Sequence, residues 1–430
     1  MNIEFSSKNF KNMLFFLYIL TKQSIKYLYF RDEMKYIKDI CKDIELFNVT
    51  YIKIIQGICV NSLIFSKNQI EYLQKYTNQV PYTLEEKNEE IIKLLEKEEV
   101  IFDSKEPINA GIVALVYKGK YKNKEVAIKI LKKNIKIKLL EALEDIKLLG
   151  YILKYIPYIN QLNLDDFFCN NSETIWNQLD LRKELKNIKN FQDFSSKVDY
   201  LKIPDTYDDI TNKYENVLVM EFIYGKNLSE ILIEDKECIL NNLHNIIKIN
   251  FVSAFFYGIG HSDLHAGNIL FQEDKIALID FGIGYKINKE EQNAIYNFYN
   301  KIFVENNIEE GRNSIFKLVN NTELINNLSC EKKKDLLNKL QKLIKEYYIN
   351  NPDILKFCFY LNKELNKYNL KISKGFSEVI FGVASGVNIS CELIVKLEEK
   401  KLDNPMLIYQ KKYMPPILKA LMQESLFELD

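Results

Sequence analysis

HSDLHAGNIL, residues 261–270, and LIDFG, residues 278–282, stand on either side of a polar turn. The apolar runs 268–271 and 276–279 predict two short strands joined by that turn. Three polar residues accompany them: Asp263, Asn268 and Asp280. A lone Asp beside a strand commonly caps a turn, and either Asp by itself would be explained in that way. Their order and spacing together instead match the catalytic-loop and metal-loop pattern of phosphoryl-transfer enzymes.

Phosphoryl transfer depends more on positioned charge than on covalent chemistry. Asp263 is predicted to accept or orient the proton of the attacking group, and Asn268 and Asp280 to bind Mg²⁺. Carboxylate and amide oxygens are ligands that suit this ion. The pattern therefore predicts an ATP-dependent enzyme, a kinase or ATPase, with ATP and Mg²⁺ as cofactors.

Lys129 interrupts an otherwise apolar strand in the run VAIK, residues 126–129. A Lys in such a strand needs an anion, and in kinases it meets the nucleotide phosphates and a helical Glu. The candidate is Glu184 in DLRKELKN, with Glu141 and Glu144 as alternatives nearer in sequence. We predict that Lys129 binds phosphate and that Lys129 and Glu184 belong to the catalytic set.

The first part of the chain is predicted to be helical. Apolar residues recur every three or four positions over residues 8–78, and Pro81 ends this region. Thr83 and Glu86 predict a capping box at the start of the next helix.

Short β-type runs then predict a hairpin, with strands at 112–117 and 125–131 and a turn over 118–124. Helical patterns follow over residues 135–190 and after residue 228, around a buried strand at 216–222. A small α+β lobe followed by a larger helical lobe is the layout of a protein-kinase-like fold, and the helical extension is an addition in front of it.

Composition excludes several classes of protein. The 430 residues carry 59 Lys and Arg against 59 Asp and Glu, so no overall charge attracts nucleic acid. With 47% hydrophobic and 27% charged residues, the chain is not disordered as a whole. Only 14 Gly and 8 Pro predict long helices and few tight turns.

Seven Cys without close pairing favour a reduced, intracellular chain and give no zinc motif. No signal peptide is expected, and no run reaches the length that a membrane-spanning helix needs. The early apolar run that contains Phe15, Phe16 and Tyr18 predicts a buried helix face, with peripheral contact at a membrane surface as the alternative. We therefore expect a cytoplasmic protein, with peripheral membrane attachment left open.

The loop expected to cover the nucleotide departs from the usual glycine-rich pattern. It reads PINAGIVALVYKGKY, residues 107–121, and has one Gly, Gly111, before its strand. Together with FNVTYIKIIQG, LQKYTNQVPY, EVAIKI, QLDLRKELKN and VLVMEFIYGKNL, it resembles the UbiB/AarF family of atypical protein-kinase-like proteins. That family has an Ala-rich loop at this place and a Lys-x-Gly-Gln motif in a helical extension.

The resemblance implies that Lys53 and Gln56 reach the nucleotide from the extension and occlude the groove of a peptide substrate. It also implies that Asp180 lies near the phosphates beside Glu184. Further predicted nucleotide contacts are Ala110, Gly111, Val116, Ala127, Lys129, Met220, Glu221 and Phe222. Three motifs differ from the family: Lys-Ile-Ile-Gln at 53–56, Gln178 in place of Glu, and a diluted Ala-rich loop.

The fold class that follows is α+β, a bilobal protein-kinase-like fold. The predicted domains are a helical extension over 1–98, a kinase-like N-lobe with a long helical insertion over 99–221, and a helical C-lobe over 222–430. The resemblance implies a UbiB-type atypical kinase or ATPase that supports isoprenoid quinone or other prenyl-lipid metabolism. Nucleotide and a prenyl lipid or membrane surface are the expected partners, and nucleic acid is not.

Two other functions stay open. One is a small-molecule phosphotransferase of the aminoglycoside or choline kinase type, which shares the pattern of residues 261–284. The other is a non-catalytic nucleotide-binding pseudokinase, favoured by Gln178 and by the missing Gly of the Lys-Ile-Ile-Gln motif.

Overall fold

The computed structural model describes residues 7–48, 50–51, 72, 80, 82–153, 176–262, 264–398, 402 and 404–424. The chain forms two compact units. Unit 1 comprises Met1–Leu185 and Asp205–Phe222, and unit 2 comprises Lys186–Pro204 and Ile223–Asp430.

The described residues contain α-helices and short strands in a mixed order. The helices are α1 Ser7–Phe30, α2 Glu33–Asn48, α3 Glu89–Lys97, α4 Ile135–Leu153, α5 Leu181–Ser195, α6 Asp208–Lys213, α7 Lys236–Val252, α8 Lys289–Tyr299, α9 Ile308–Ser314, α10 Thr322–Asn326, α11 Cys330–Ile344, α12 Ile354–Asn366, α13 Lys374–Glu398, α14 Pro405–Ile408 and α15 Met414–Glu424. The strands are β1 Ile101–Phe102, β2 Asn109–Ala110, β3 Ala114–Tyr121, β4 Lys124–Leu131, β5 Leu201–Lys202, β6 Val217–Glu221, β7 Ile259–His261, β8 Ile269–Phe271, β9 Ile276–Leu278, β10 Gly284–Lys286, β11 Val319–Asn320 and β12 Lys371–Ile372.

Unit 1 is built on an antiparallel sheet in the order β1-β3-β4-β6, with β2 also paired to β3. Strand β4 is central, and its residues from Val126 to Leu131 are all buried. The sequence of such a strand is a nearly continuous apolar run, because both of its faces are covered. Lys129 is the one charged residue in that run.

The predicted β-hairpin is present, but its predicted turn over 118–124 is wrong. The turn is only Lys122 and Asn123, both with positive φ, and β3 and β4 stay paired up to Tyr121 and Lys124. Two residues with positive φ suit the two-residue hairpin turn that matches strand twist. Gly119, expected in the turn, lies inside strand β3. A larger residue would not fit there, because a Cβ would come 2.2 Å from the carbonyl oxygen of Ile101 on β1.

The predicted capping box at Thr83 and Glu86 closes a short 3₁₀ turn, Leu84–Glu86, rather than a long helix. Helix α3 begins later, and the Asn88 side chain accepts the Ile91 amide as its N-cap. Asn and Thr are both good N-cap residues, and Asn88, five residues after Thr83, is the one that starts the helix.

Helix α1 does not bury the apolar face that the sequence predicted. Phe15 is 40% exposed and Tyr18 59% exposed, and the exposed apolar side chains continue to the end of the helix as Leu28, Tyr29 and Phe30. The opposite side of α1 is anchored, since the Asn12 side chain donates a 2.8 Å hydrogen bond to Asp145 on α4. A buried face was therefore the wrong prediction for Phe15 and Tyr18.

Unit 2 is mostly helical and is centred on α7 and α13. The two helices approach closely at Gly386 of α13. A Cβ at this residue would lie 1.7 Å from the Asn250 side-chain nitrogen of α7, so only glycine leaves enough room. By length and composition α13 could cross a membrane, yet 67% of its most apolar window is buried within the protein. The core helix of a globular protein meets the same criterion.

Glu378 on α13 provides a pH-dependent contribution to stability. Burial, together with the charge of Glu291, raises the pKa of Glu378 to about 6, and Lys374 offsets part of that rise. Because the folded state holds this proton more tightly than the unfolded state, stability falls as pH rises from about 4.5 through 6. We expect Glu378→Gln to stabilise the protein by about 1 to 2 kcal/mol at pH 7.5 and by little at pH 4.

Denaturant unfolding at both pH values measures this difference. Glu290→Gln, at an exposed residue on α8, controls for the loss of one negative charge. Equal stabilisation by Glu378→Gln at pH 4 and pH 7.5 would contradict the prediction.

Candidate active site

Unit 1 contains a buried ion pair between a sheet and a helix. The Nζ atom of Lys129 on β4 lies 2.8 and 2.9 Å from the two carboxylate oxygens of Glu184 on α5. Lys129 is only 9% exposed and Glu184 only 4%. Of the three Glu residues considered from the sequence, Glu184 is therefore the one that forms this contact.

Four of the predicted nucleotide contacts, one of them Lys129, lie on the same face of the sheet. Val116 lies opposite Lys129, Ala127 precedes Lys129 by two residues, and Met220 lies opposite Ala127. Because side chains alternate along a strand, Val116, Ala127, Lys129 and Met220 point to the same side. The other face holds the apolar core of unit 1, with Leu115, Tyr117, Val126, Ile128, Ile130, Val217 and Val219.

The remaining predicted contacts in unit 1 have other surroundings. Ala110 belongs to the apolar core cluster, and the Gly111 amide donates to the carbonyl oxygen of Ala114. Glu221 accepts a hydrogen bond from the Asp205 amide at 3.1 Å. The Phe222 ring lies 4.5 Å from the Lys118 ammonium, a cation–π distance.

Asp180, at the start of α5, is held by Arg182. The guanidinium donates from Nε and from a terminal nitrogen at 2.9 Å each, and the Arg182 amide donates at 3.1 Å. These bonds, above all those of the Arg182 side chain, lower the pKa of Asp180. Arg182 also contacts Glu215 at 3.2 Å. This pairing of Asp180 with Arg182 was not predicted from the sequence.

Gln178, where the resemblance implies Glu, is buried, and its side-chain nitrogen has no hydrogen-bond partner among the residues that the structure describes. The expected carboxylate is thus replaced by a neutral amide.

Unit 2 brings two predicted metal ligands to one end of a hairpin. Strands β8 and β9 are antiparallel, with Ile269 opposite Leu278, and the Ile279 amide donates to the carbonyl oxygen of Asn268 at 3.0 Å. Asn268 immediately precedes β8, and Asp280 follows β9 by two residues. Their positions follow from the antiparallel pairing of the two strands that were predicted on either side of the turn.

The loop at Asp280 is fixed by hydrogen bonds. One oxygen of its carboxylate accepts the Gly282 amide at 2.9 Å. The ring of His261 lies 2.6 Å from the Asp280 carbonyl oxygen, which requires the proton on Nε2. This role of His261 was not predicted from the sequence, although His261 stands two residues before Asp263 in the motif.

Three predicted site residues, Lys53, Gln56 and Asp263, lie outside the residues that the structure describes. Their roles stay predictions. Among the described residues, no group of three or more His, Cys, Asp and Glu side chains could hold a metal ion. Mg²⁺ in phosphoryl transfer does not need such a cage, because one or two protein ligands commonly share it with phosphate and water.

The model of the ABC1 atypical kinase-like domain matches residues 75–312. The chain belongs to this ABC1 family. The predicted resemblance to UbiB/AarF proteins is thereby confirmed, and the α+β fold of the ABC1 chain is kinase-like. The matched range includes Lys129, Glu184, Asp263, Asn268 and Asp280, whereas Lys53 and Gln56 precede it.

Three relatives illustrate the similarity of this ABC1 chain to known proteins. An "Uncharacterized protein in hydrogenase 1 5'region" from Clostridium pasteurianum is 29% identical, with 58% of this chain and 48% of that protein covered. A "Probable protein kinase UbiB" from Blochmanniella pennsylvanica is 26% identical, with 43% and 36% covered. The "ABC1 family protein YPL109C, mitochondrial" of Saccharomyces cerevisiae is 28% identical, with 53% and 38% covered.

The ABC1 chain therefore spans less than half the length of each of these relatives. A solved structure of Rv3197 with erythromycin from Mycobacterium tuberculosis has a TM-score of 0.48 and 16% identity, covering 84% of this chain and 91% of that one. At that level the structural similarity carries no argument about a ligand.

Proposed function

We propose that the chain is an atypical kinase or ATPase of the UbiB type. It binds Mg-ATP and hydrolyses it or transfers its terminal phosphate, in support of isoprenoid quinone or other prenyl-lipid metabolism. We expect the protein to act in the cytoplasm, attached peripherally to a membrane surface.

The observation that carries this proposal is the buried pair of Lys129 and Glu184. Burying two opposite charges costs several kcal/mol per ion, and well-packed apolar residues often stabilise a fold equally well. A Lys in the centre of an apolar strand is therefore poorly explained by stability alone. It is well explained if Glu184 holds the ammonium group ready for a nucleotide phosphate.

The two predicted metal ligands in unit 2 suit a hard cation. Asn268 and Asp280 would hold Mg²⁺ through an amide and a carboxylate oxygen, the ligand types that this ion prefers. Bound Mg²⁺ supplies positive charge that offsets the charge of the phosphates. Asp263 would orient the group that attacks the terminal phosphate.

Helix α1 supports a membrane surface as the place of action. It has no acidic residue and carries Lys8, Lys11, Lys22 and Lys26, of which Lys22 and Lys26 are paired with Asp43 and Asp39 of α2. Its exposed apolar side chains include Tyr18 and Leu28, and Tyr29 is 82% exposed. Helices with basic residues and an exposed apolar face bind at the interface of anionic bilayers.

ATP hydrolysis by the whole chain, with and without Mg²⁺ and with and without anionic lipid vesicles, tests the proposal. We expect turnover that requires Mg²⁺ and rises severalfold with vesicles or with phenols that resemble quinone precursors. Tyr18→Ser combined with Leu28→Ser is expected to lose the vesicle effect and to keep basal turnover. Fast phosphorylation of a generic peptide together with indifference to lipid would contradict the proposed function.

A second candidate, nucleotide binding without turnover, is favoured by the Asp180–Arg182 ion pair. Asp180, which the resemblance places near the phosphates, is then already neutralised by a guanidinium and is less available for a role there. Stabilisation by ATP of about 2.7 kcal/mol at 100 times the dissociation constant, with no hydrolysis, would support this candidate.

A further inference from the structure

The peptide group between Phe281 and Gly282 is hydrogen-bonded on both sides. Its carbonyl oxygen accepts a 2.9 Å hydrogen bond from the side-chain nitrogen of Asn187 on α5. Its N–H donates at 2.9 Å to the carboxylate of Asp280. Because a peptide group is planar and rigid, the orientation of the carbonyl fixes the direction of the N–H.

The Asn187 side chain is partly buried and packs against Gly284. A Cβ at Gly284 would lie 3.0 to 3.3 Å from the atoms of the Asn187 carboxamide, so the glycine leaves the space that this side chain fills. The neighbouring Phe281 ring is fully buried and lies 5.4 Å from the ring of Phe191, one turn later on α5. The contact with Gly284 and the hydrogen bond to Phe281 together orient the Asn187 amide toward the carbonyl.

We propose that Asn187 is a positioning residue for the Asp280 carboxylate. Its amide holds the Phe281–Gly282 peptide, and the N–H of that peptide holds one carboxylate oxygen in place. This inference rests on the proposed function, in which Asp280 is a ligand of Mg²⁺. It adds that the affinity for Mg²⁺ is set in part by a side chain that touches neither metal nor nucleotide.

A purely structural role for Asn187 predicts a different outcome. In that case its loss would lower stability and leave the Mg²⁺ dependence of the reaction unchanged. Asn187→Asp separates the two roles, because Asp has nearly the same shape but, when ionised, cannot donate a hydrogen bond to a carbonyl. Asn187→Ala removes both the hydrogen bond and the packing.

The experiment uses the full chain and two measurements. Hydrogen–deuterium exchange without nucleotide reports on residues 281–284, and ATP hydrolysis against Mg²⁺ concentration gives the half-saturation point. For Asn187→Asp we expect faster exchange in this loop and a half-saturation concentration about fivefold to tenfold higher, as loss of one hydrogen bond implies. Lys186→Ala, at the exposed preceding residue of α5, is expected to match the wild type in both measurements.

Unchanged exchange and unchanged Mg²⁺ dependence in Asn187→Asp would overturn the inference. Faster exchange with unchanged Mg²⁺ dependence would overturn it too, because the loop would then move without affecting the metal site. If the wild type neither binds nor hydrolyses Mg-ATP while Asn187→Asp exchanges faster, the proposed function fails and the role of Asn187 in orienting the loop is supported.

Discussion

Asp280→Asn is expected to lower Mg²⁺-dependent ATP turnover by about 10²-fold or more, since a metal-binding carboxylate supplies charge stabilisation that a neutral amide cannot. The variant should fold normally. An amide oxygen can still accept the Gly282 N–H, and the His261 ring contacts the main-chain carbonyl of residue 280, which the substitution leaves in place. The loss should therefore appear in turnover and in Mg²⁺ affinity rather than in the midpoint of thermal unfolding.

Asp274→Asn is the matched control. Asp274 is exposed and lies in the turn at the other end of the β8–β9 hairpin, so the same chemical change is made away from the proposed metal site. Turnover of Asp274→Asn should equal that of the wild type. Near-normal Mg²⁺-dependent turnover in Asp280→Asn would remove Asp280 from the proposed metal site and, with it, the main support for a kinase-type reaction.

The features that the sequence predicted well are those that local patterns specify. The β8–β9 hairpin follows from two apolar runs around a polar turn, and its register then places Asn268 and Asp280 at one end. The sequence pattern limited the ion-pair partner of Lys129 to a few Glu residues, but the periodicity of the helices could not decide among them. The choice of Glu184 depends on where α5 packs in three dimensions.

The features that were missed depend on contacts between distant residues or on competition between near neighbours. Asn187 and Phe281 are 94 positions apart, and no local pattern connects them. Asp180 had several basic neighbours, and only the geometry of the helix start selects Arg182. For α1, periodicity indicates which residues share a face, but it does not indicate what that face meets. Burial was therefore predicted for side chains that are exposed.

Lys129→Met is expected to lower ATP affinity and turnover together, by about 10²-fold, because a positioned cation is removed from the phosphates. It should also destabilise unit 1 by about 3 to 5 kcal/mol, since the buried Glu184 loses its ion pair with Lys129. Glu184→Gln should be milder for the fold, because an amide is cheaper to bury than a carboxylate. Lys124→Met, at an exposed position on the same strand, controls for loss of a lysine.

The double variant Lys129→Met with Glu184→Leu separates function from stability. Replacing both charges by apolar residues of similar size is often neutral or stabilising, so unfolding in denaturant should return to near the wild-type midpoint. Turnover should stay as low as in Lys129→Met, because the phosphate-binding cation is still absent. A double variant that regains stability without activity means that the pair serves the reaction. Recovery of turnover along with stability would mean that Lys129 only supports the fold, and the observation that carries the proposed function would be lost.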